Sequence, residues 1–220
     1  MDSIRALVSY IVIAINNAEK SEKLAEEIAI RKQSQIELVK LNNQLIKLSE
    51  LDGLTEIANR RRFDHLFHEE WERAKRDQLP LSVILIDVDQ FKEYNDHYGH
   101  QEGDHVLCEV AKTLQSIPNR QTDFVARYGG DEFVVVLPNT DEFGAIIVAE
   151  KMRSHIVSLQ IDHRFSEIAN HITLTIGIAT LTPQSGMDRE GLIRMADKAL
   201  YKAKDKGRNR VEHFNELVNK

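Results

Sequence analysis

From Ile4 to about Ser49 the chain carries no proline or glycine, and Ala, Leu, Ile, Glu, Lys and Gln dominate, which predicts one long helix. Leu24, Arg31, Leu38 and Leu45 fall seven apart, the heptad spacing of a seam between helices. A step of four adds Ile28, Gln35, Asn42 and Ser49 to that seam, and a step of three adds Glu27, Ser34, Leu41 and Leu48. The first register is better upstream and the second downstream. The expectation is a parallel dimeric coiled coil, either switching between two registers or static with a stutter. A helix folded back on its own domain would instead leave a monomer.

Gly53 breaks the pattern, with Asp52 or Thr55 placed to cap the next helix. Phe63, Leu66, Phe67 and Trp71 recur at helical spacing up to about Arg76. Leu81 to Asp87 is a continuous apolar run that reads as a central strand. Helices are expected over Phe91 to Tyr98 and Asp104 to Ser116, followed by a hairpin of Phe124 to Tyr128 and Phe133 to Leu137. A helix over Asp141 to Val157, a strand over Ile172 to Ala179, a helix over Arg189 to Lys206 stopped by Gly207, and an edge strand over Val211 to Phe214 complete the chain. Strands separated by helices, plus one hairpin, imply an α/β (α+β) domain with a mixed central sheet flanked by helices. The expected division is 1–50, coiled-coil signalling helix and linker, and 51–220, one domain.

Composition narrows the function classes. A net charge of −6 over 220 residues argues against a general binder of nucleic-acid polymers, so a phosphate ligand must be held by a local site. The single cysteine, Cys108, excludes an internal disulfide framework and is expected to pack on a helix. The apolar run Ala6 to Ile15 is about half of the ~20 residues needed to span a bilayer. The expectation is a cytoplasmic protein with no membrane segment.

The chemistry gathers on Arg127 to Phe133. Gly129 and Gly130 permit a tight turn and close approach of a bulky ligand, and Asp131 and Glu132 put two carboxylates on that turn. Asp87 stands at the end of a central strand, where catalytic groups of α/β sheets collect. Three carboxylates in one place repel unless a hard cation binds them, and Mg²⁺ held by one or two carboxylates plus substrate phosphates is a common solution. Against this, Asp-x-Asp after a strand is usually a solvated helix cap, and Gly-Gly-Asp is often only a turn.

Gly129-Gly130-Asp131-Glu132-Phe133, preceded by Arg127-Tyr128, resembles the signature of the GGDEF family of diguanylate cyclases. Asp52-Gly53-Leu54-Thr55, Asn59-Arg60-Arg61, Asp87-Val88-Asp89-Gln90-Phe91-Lys92, Asn95-Asp96, Gly99-His100, Gly103-Asp104, Ala196-Asp197, Tyr201, Ala203-Lys204 and Gly207-Arg208-Asn209 are similar to that family's other blocks in order and spacing. The resemblance covers roughly Leu51 to Phe214. It implies a fold like polymerase palms and class III nucleotide cyclases, and the condensation of two GTP into cyclic di-GMP by a homodimer. It further implies that Asp87, the Val88 carbonyl and Asp131 hold Mg²⁺, with Mn²⁺ the alternative ion, and that Glu132 assists. Asp87 or Asp131 would take the proton of the attacking hydroxyl.

By the same resemblance Asn95 and Asp104 read guanine, and Lys204 and Arg208 hold phosphates with the backbone at Gln90, Phe91 and Lys92, while Gly129 and Gly130 make room for GTP. Gln90 departs from the aromatic common at its place. Arg120 and Asp123 are similar to the Arg-x-x-Asp site at which cyclic di-GMP inhibits. The first residues, Arg5 to Leu24, resemble the exit helix of a GAF-type or phytochrome-type sensor, implying a truncated output module. The competing expectations are a catalytically silent module that binds GTP or cyclic di-GMP, against which the retained acids speak, and a hybrid cyclase that also accepts ATP, which Asp104 disfavours.

Overall fold

In a computed structural model, the structure describes residues 20, 28, 31–40, 50–118 and 120–215. The chain divides into two units, Met1–Ser49 and Glu50–Lys220. In the first, residues 31–40 are helical, and Ile28 and Leu38 expose 59% and 69% of their surface. The heptad partners Leu24, Glu27, Leu41, Asn42, Leu45, Leu48 and Ser49, and the stretches Ala6 to Ile15 and Arg5 to Leu24 apart from Lys20, lie outside the described residues.

The second unit is built on a six-stranded mixed sheet in the order β1-β3-β4-β2-β5-β6. The strands are β1 (Ala58–Asn59), β2 (Leu81–Val88), β3 (Phe124–Gly129), β4 (Glu132–Pro138), β5 (Leu174–Leu181) and β6 (Val211–His213). The helices are α1 (Arg60–Asp77), α2 (Phe91–Tyr98), α3 (His100–Ser116), α4 (Glu142–Ser158) and α5 (Arg189–Asp205). β2 lies between β4 and β5, antiparallel to both, and each edge strand, β1 on β3 and β6 on β5, pairs in parallel.

The apolar run of β2 is continuous because helices cover both faces of the sheet. Ile84, Ile86 and Val88 pack toward α2, α3 and α4 with Val106, Val110, Leu114, Met152 and Ile156. Val83 and Leu85 pack toward α1 and α5 with Phe63, Phe67, Trp71, Leu192 and Leu200. Phe63, Phe67 and Trp71 are core residues, 0–3% exposed, and Leu66 is half-buried. Cys108 is half-buried on α3, with its thiol donating to the Leu54 carbonyl at 3.3 Å.

Three local expectations are corrected and one strand is added. Asn59, not Asp52 or Thr55, caps α1, its side-chain oxygen accepting from the Arg62 amide at 3.0 Å. α3 begins at His100 rather than Asp104, since Gly99, at φ +87°, ends α2 and starts the next helix at once. β5 runs over Leu174–Leu181, because Thr180 and Leu181 still pair with Ser82 and Leu81 of β2. β1 has no counterpart in the sequence pattern: a strand of two residues carries no periodicity and exists through its pairing with β3. No described helix is long and apolar enough to cross a membrane.

Candidate functional site

The register of the sheet sets Asp87 at the end of β2 opposite Glu132 of β4 and Thr175 of β5. Between β3 and β4 the chain reverses at Gly130-Asp131, with a bulge between Arg127 and Gly129. Gly130 takes φ +55°, and a side chain on either glycine would meet no atom within 4 Å, so the turn is open to a bulky group. The Val88 amide donates to the Asp131 carbonyl at 3.3 Å, tying the turn to the strand end.

Arg127 braces the turn from beneath. Its Nε donates to the Gly130 carbonyl at 2.8 Å and its guanidinium pairs with Asp52 at 2.9 Å. Burial raises the Asp52 pKa, but hydrogen bonds from the Thr55 hydroxyl and amide and from Arg127 outweigh it and hold the carboxyl below its usual range. Asp52 thus closes the turn that opens the domain and anchors the signature hairpin.

The carboxylates at the strand end repel one another. Asp87 is pushed up chiefly by burial, with Asp131 adding to the rise and Lys204 and Arg208 opposing it. Glu132 is raised by partial burial and by Asp87 and Asp131, against Lys204. Lys204 Nζ lies 2.7 Å from Asp87 Oδ2, with side-chain exposures of 30% and 15%. Lys204 and Arg208 against the three acids Asp87, Asp131 and Glu132 leave a net negative charge, which suits a hard cation. Among the described residues no group of three His, Cys, Asp or Glu is arranged to hold a metal unaided.

Asp89, 1% exposed, organises the region beside these acids. Its carboxylate accepts from the Thr173 hydroxyl at 2.7 Å, the Thr175 hydroxyl at 2.5 Å and the Asn209 amide at 3.1 Å. Burial raises its pKa and these donors oppose the rise. Arg208 and Asn209 both occupy left-handed backbone, φ +62° and +45°, a strained state for non-glycine residues that must be held from outside. Asp89, Thr175 and Arg153, which donates to Asn209 Oδ1 at 2.9 Å, hold it. The turn carrying Arg208 is therefore pinned beside Asp87 by a residue assigned no role from its spacing. The Thr173-x-Thr175 alternation, which aims two hydroxyls to one face at the start of β5, is the signal that could have exposed it.

Gln90, Phe91 and Lys92 open α2 immediately after Asp89. Gln90 is left-handed at φ +53°, Phe91 is buried and Lys92 is exposed. Asn95 faces α3 at Gly103, where a Cβ would fall 1.8 Å from Asn95 Oδ1, so any side chain at 103 would displace the Asn95 amide. Asn95 Oδ1 is buried without a hydrogen-bond partner, and Asp104 is exposed on the next residue. The two residues expected to read a base stand on neighbouring helices.

Arg120 and Asp123 are not part of this cluster. They lie before the first residue of β3, six residues of strand from the signature turn, about 20 Å at the usual rise. They form a closed loop in which Asp123 N donates to Arg120 O at 3.1 Å, and the Arg120 guanidinium reaches Asn139 O at 3.1 Å and Thr140 Oγ1 at 3.3 Å. Asp123 Oδ1 is buried without a partner, and burial raises that carboxyl.

The family model of the diguanylate cyclase GGDEF domain matches residues 49–210. A diguanylate cyclase of Vibrio cholerae serotype O1 is 42% identical over 174 residues, 79% of this chain and 52% of the relative. Diguanylate cyclase DosC of Escherichia coli K12 is 41% identical over 162 residues, 74% of this chain and 34% of the relative. The chain thus spans about half or less of these curated relatives. Among solved structures, the coiled coil and GGDEF domain of DgcB from Caulobacter crescentus, in complex with c-di-GMP, superposes with a TM-score of 0.71 at 30% identity, covering 86% of this chain and 98% of that one. The active GGEEF domain of a diguanylate cyclase from Vibrio cholerae gives 0.64 at 41% identity, covering 73% and 99%.

Proposed function

The chain belongs to the GGDEF family of diguanylate cyclase domains, and on that footing we propose that it condenses two GTP into cyclic di-GMP, releasing two pyrophosphates, across two copies of itself. The observation that carries this reading is the convergence at one end of the sheet of Asp87, the Gly130-Asp131 turn with Glu132, and Lys204, with Asn95 and Asp104 on the adjoining helices α2 and α3. Each copy binds one GTP. The 3′-oxygen of each nucleotide attacks the α-phosphorus of the other, the bond from that phosphorus to the bridging oxygen of pyrophosphate breaks, and the hydroxyl proton passes to Asp87 or Asp131.

Asn95 and Asp104 accept from the N1–H and amino group of guanine, a pair of donors that adenine lacks. The backbone amides at Gln90 to Lys92, with Lys204 and Arg208, carry the phosphates. Lys204 exchanges Asp87 for phosphate oxygens when nucleotide binds. A divalent cation, Mg²⁺ or Mn²⁺, fits Asp87, the Val88 carbonyl and Asp131, and when bound neutralises the triphosphate and lowers the pKa of the attacking hydroxyl.

A single copy holds half of the reacting pair, so alignment of two copies governs the rate. The device that aligns them, on this reading, is a parallel coiled coil whose seam includes Ile28 and Leu38, both exposed, as are Ile36 and Val39 beside it. Arg120 and Asp123, remote from the chemistry, suit a product-binding site that restrains the dimer. Incubating the purified protein with GTP and Mg²⁺, with and without ATP, and identifying products by mass tests the reading. Cyclic di-GMP and pyrophosphate are expected, and their absence at concentrations where the protein is dimeric overturns it.

A further inference from the structure

Between α4 and β5 the chain makes a polar excursion with no helix or strand of its own. It closes on itself through the Asp162–His171 bridge, the His163 amide donating to Asn170 O at 2.9 Å and the Ile172 amide donating to Ile161 O at 2.9 Å. This strap is aimed inward by one side chain. His163 is 0% exposed, and its Nε2 lies 3.2 Å from the carbonyl of Gln90. A carbonyl only accepts, so Nε2 carries the proton. Nδ1 is buried with no partner, and burial disfavours the charged ring.

Gln90 needs such a hold. It is a non-glycine residue in left-handed backbone and gives its own helix no side-chain cap. Its carbonyl accepts from the Tyr94 amide at 3.0 Å and from His163, and its Oε1 accepts from the Glu167 amide of the strap at 2.9 Å. The grip continues along α2. The His163 ring meets Tyr94 edge-on at 5.2 Å, Phe165 stacks on His97 at 3.8 Å between centroids, and the Arg164 amide donates to the Tyr98 hydroxyl at 3.0 Å. An eight-residue helix has little stability in isolation, so these contacts decide where it lies.

We propose that this strap is a positioning element for the nucleotide, with His163 as its key positioning residue: through Gln90 it sets the backbone at residues 90–92, and through α2 it sets Asn95. The proposal rests on the reading of Gln90–Lys92 and Asn95 as GTP contacts. His163 touches no substrate atom itself. Its effect is on how well GTP is bound, not on how fast bound GTP reacts.

The test uses the full chain and two readouts: steady-state cyclase kinetics, and equilibrium binding of α,β-methylene-GTP, which cannot release pyrophosphate. His163→Ala is expected to raise the KM for GTP and the Kd of the analogue together by about tenfold, the size of one lost hydrogen bond and the order it imposes, while kcat stays within about twofold. His163→Gln, whose amide N–H can reach the Gln90 carbonyl, is expected to recover most of the loss. Phe165→Ala, at a ring 50% exposed, is expected to give a smaller rise without opening the core.

A folded His163→Ala protein with unchanged KM and Kd overturns the proposal, as does a loss confined to kcat. If His163→Ala does not fold, an unchanged Kd in Phe165→Ala overturns it instead. A parent that binds the analogue but makes no cyclic di-GMP ends the cyclase reading, and the Kd differences still decide for or against the strap. A parent that does not bind the analogue ends both.

Discussion

Gly177, midway along β5, is the point at which one methyl group should disturb both the core and the site. A Cβ there would lie 2.2 Å from Leu200 N, 2.3 Å from Ala196 O and 2.6 Å from Leu200 Cα. All three are backbone atoms of α5, so no side-chain rotation relieves the clash. Ordinary contact begins near 3.4 Å, and α5 must retreat from the sheet by about 1 Å or β5 must bow. Overpacking usually costs about 1–3 kcal/mol, and three backbone clashes put Gly177→Ala at about 3 kcal/mol. In a domain of this size each kcal/mol lowers Tm by about 2–4 °C, so a fall of about 6–12 °C is expected. The same retreat moves the end of α5 that sets Lys204 beside Asp87, and about a tenfold loss in kcat/KM for GTP should accompany it. Thermal unfolding by circular dichroism and steady-state product formation measure the two effects. A Gly177→Ala protein melting within about 2 °C of the parent at full activity refutes the reasoning.

Asp89→Ala removes the acceptor of two buried threonine hydroxyls and the Asn209 amide, and a loss of about 3 kcal/mol or more is expected in urea unfolding. Asp89→Asn, which keeps part of that network, should lose less; equal losses would mean that the hydrogen bonds are not what matters. The pH dependence of stability reports His163. Burial holds its folded pKa below the unfolded value of about 6.5, so the unfolded chain takes up the proton first and stability falls as pH drops below about 6.5 toward the folded pKa. The melting temperature of the parent should fall more steeply between about pH 7.5 and 5.5 than that of His163→Gln, with half-buried His213 adding the same slope to both. Parallel slopes would show that the neutral ring is not the source. Arg120→Ala should relieve inhibition by cyclic di-GMP by about tenfold without lowering the uninhibited rate, since Arg120 lies about 20 Å from the signature turn. An inhibition constant equal to that of the parent would remove Arg120 from the inhibitory site.

Much of the domain was legible along the chain because its signals are local. The apolar run of β2, the 3.6-residue spacing of Phe63, Phe67 and Trp71, the two glycines of the signature turn and the stop at Gly207 each depend on neighbours a few residues away. The acids at the strand ends were visible for the same reason, since strand ends follow from strand patterns. Only tertiary structure joined Asp52 to Arg127, Asp89 to Asn209 and His163 to Gln90, pairs 75, 120 and 73 residues apart. Nothing in a local pattern states which buried polar group will meet which, because that choice is made when helices and sheet pack and each buried donor or acceptor must find a partner or lose its hydration. The sequence by itself determined the longer helices and strands and the acids that stand at their ends, but not the two-residue strand β1. Packing decided what holds those acids, the left-handed turns beside them and the short helix α2 in working position.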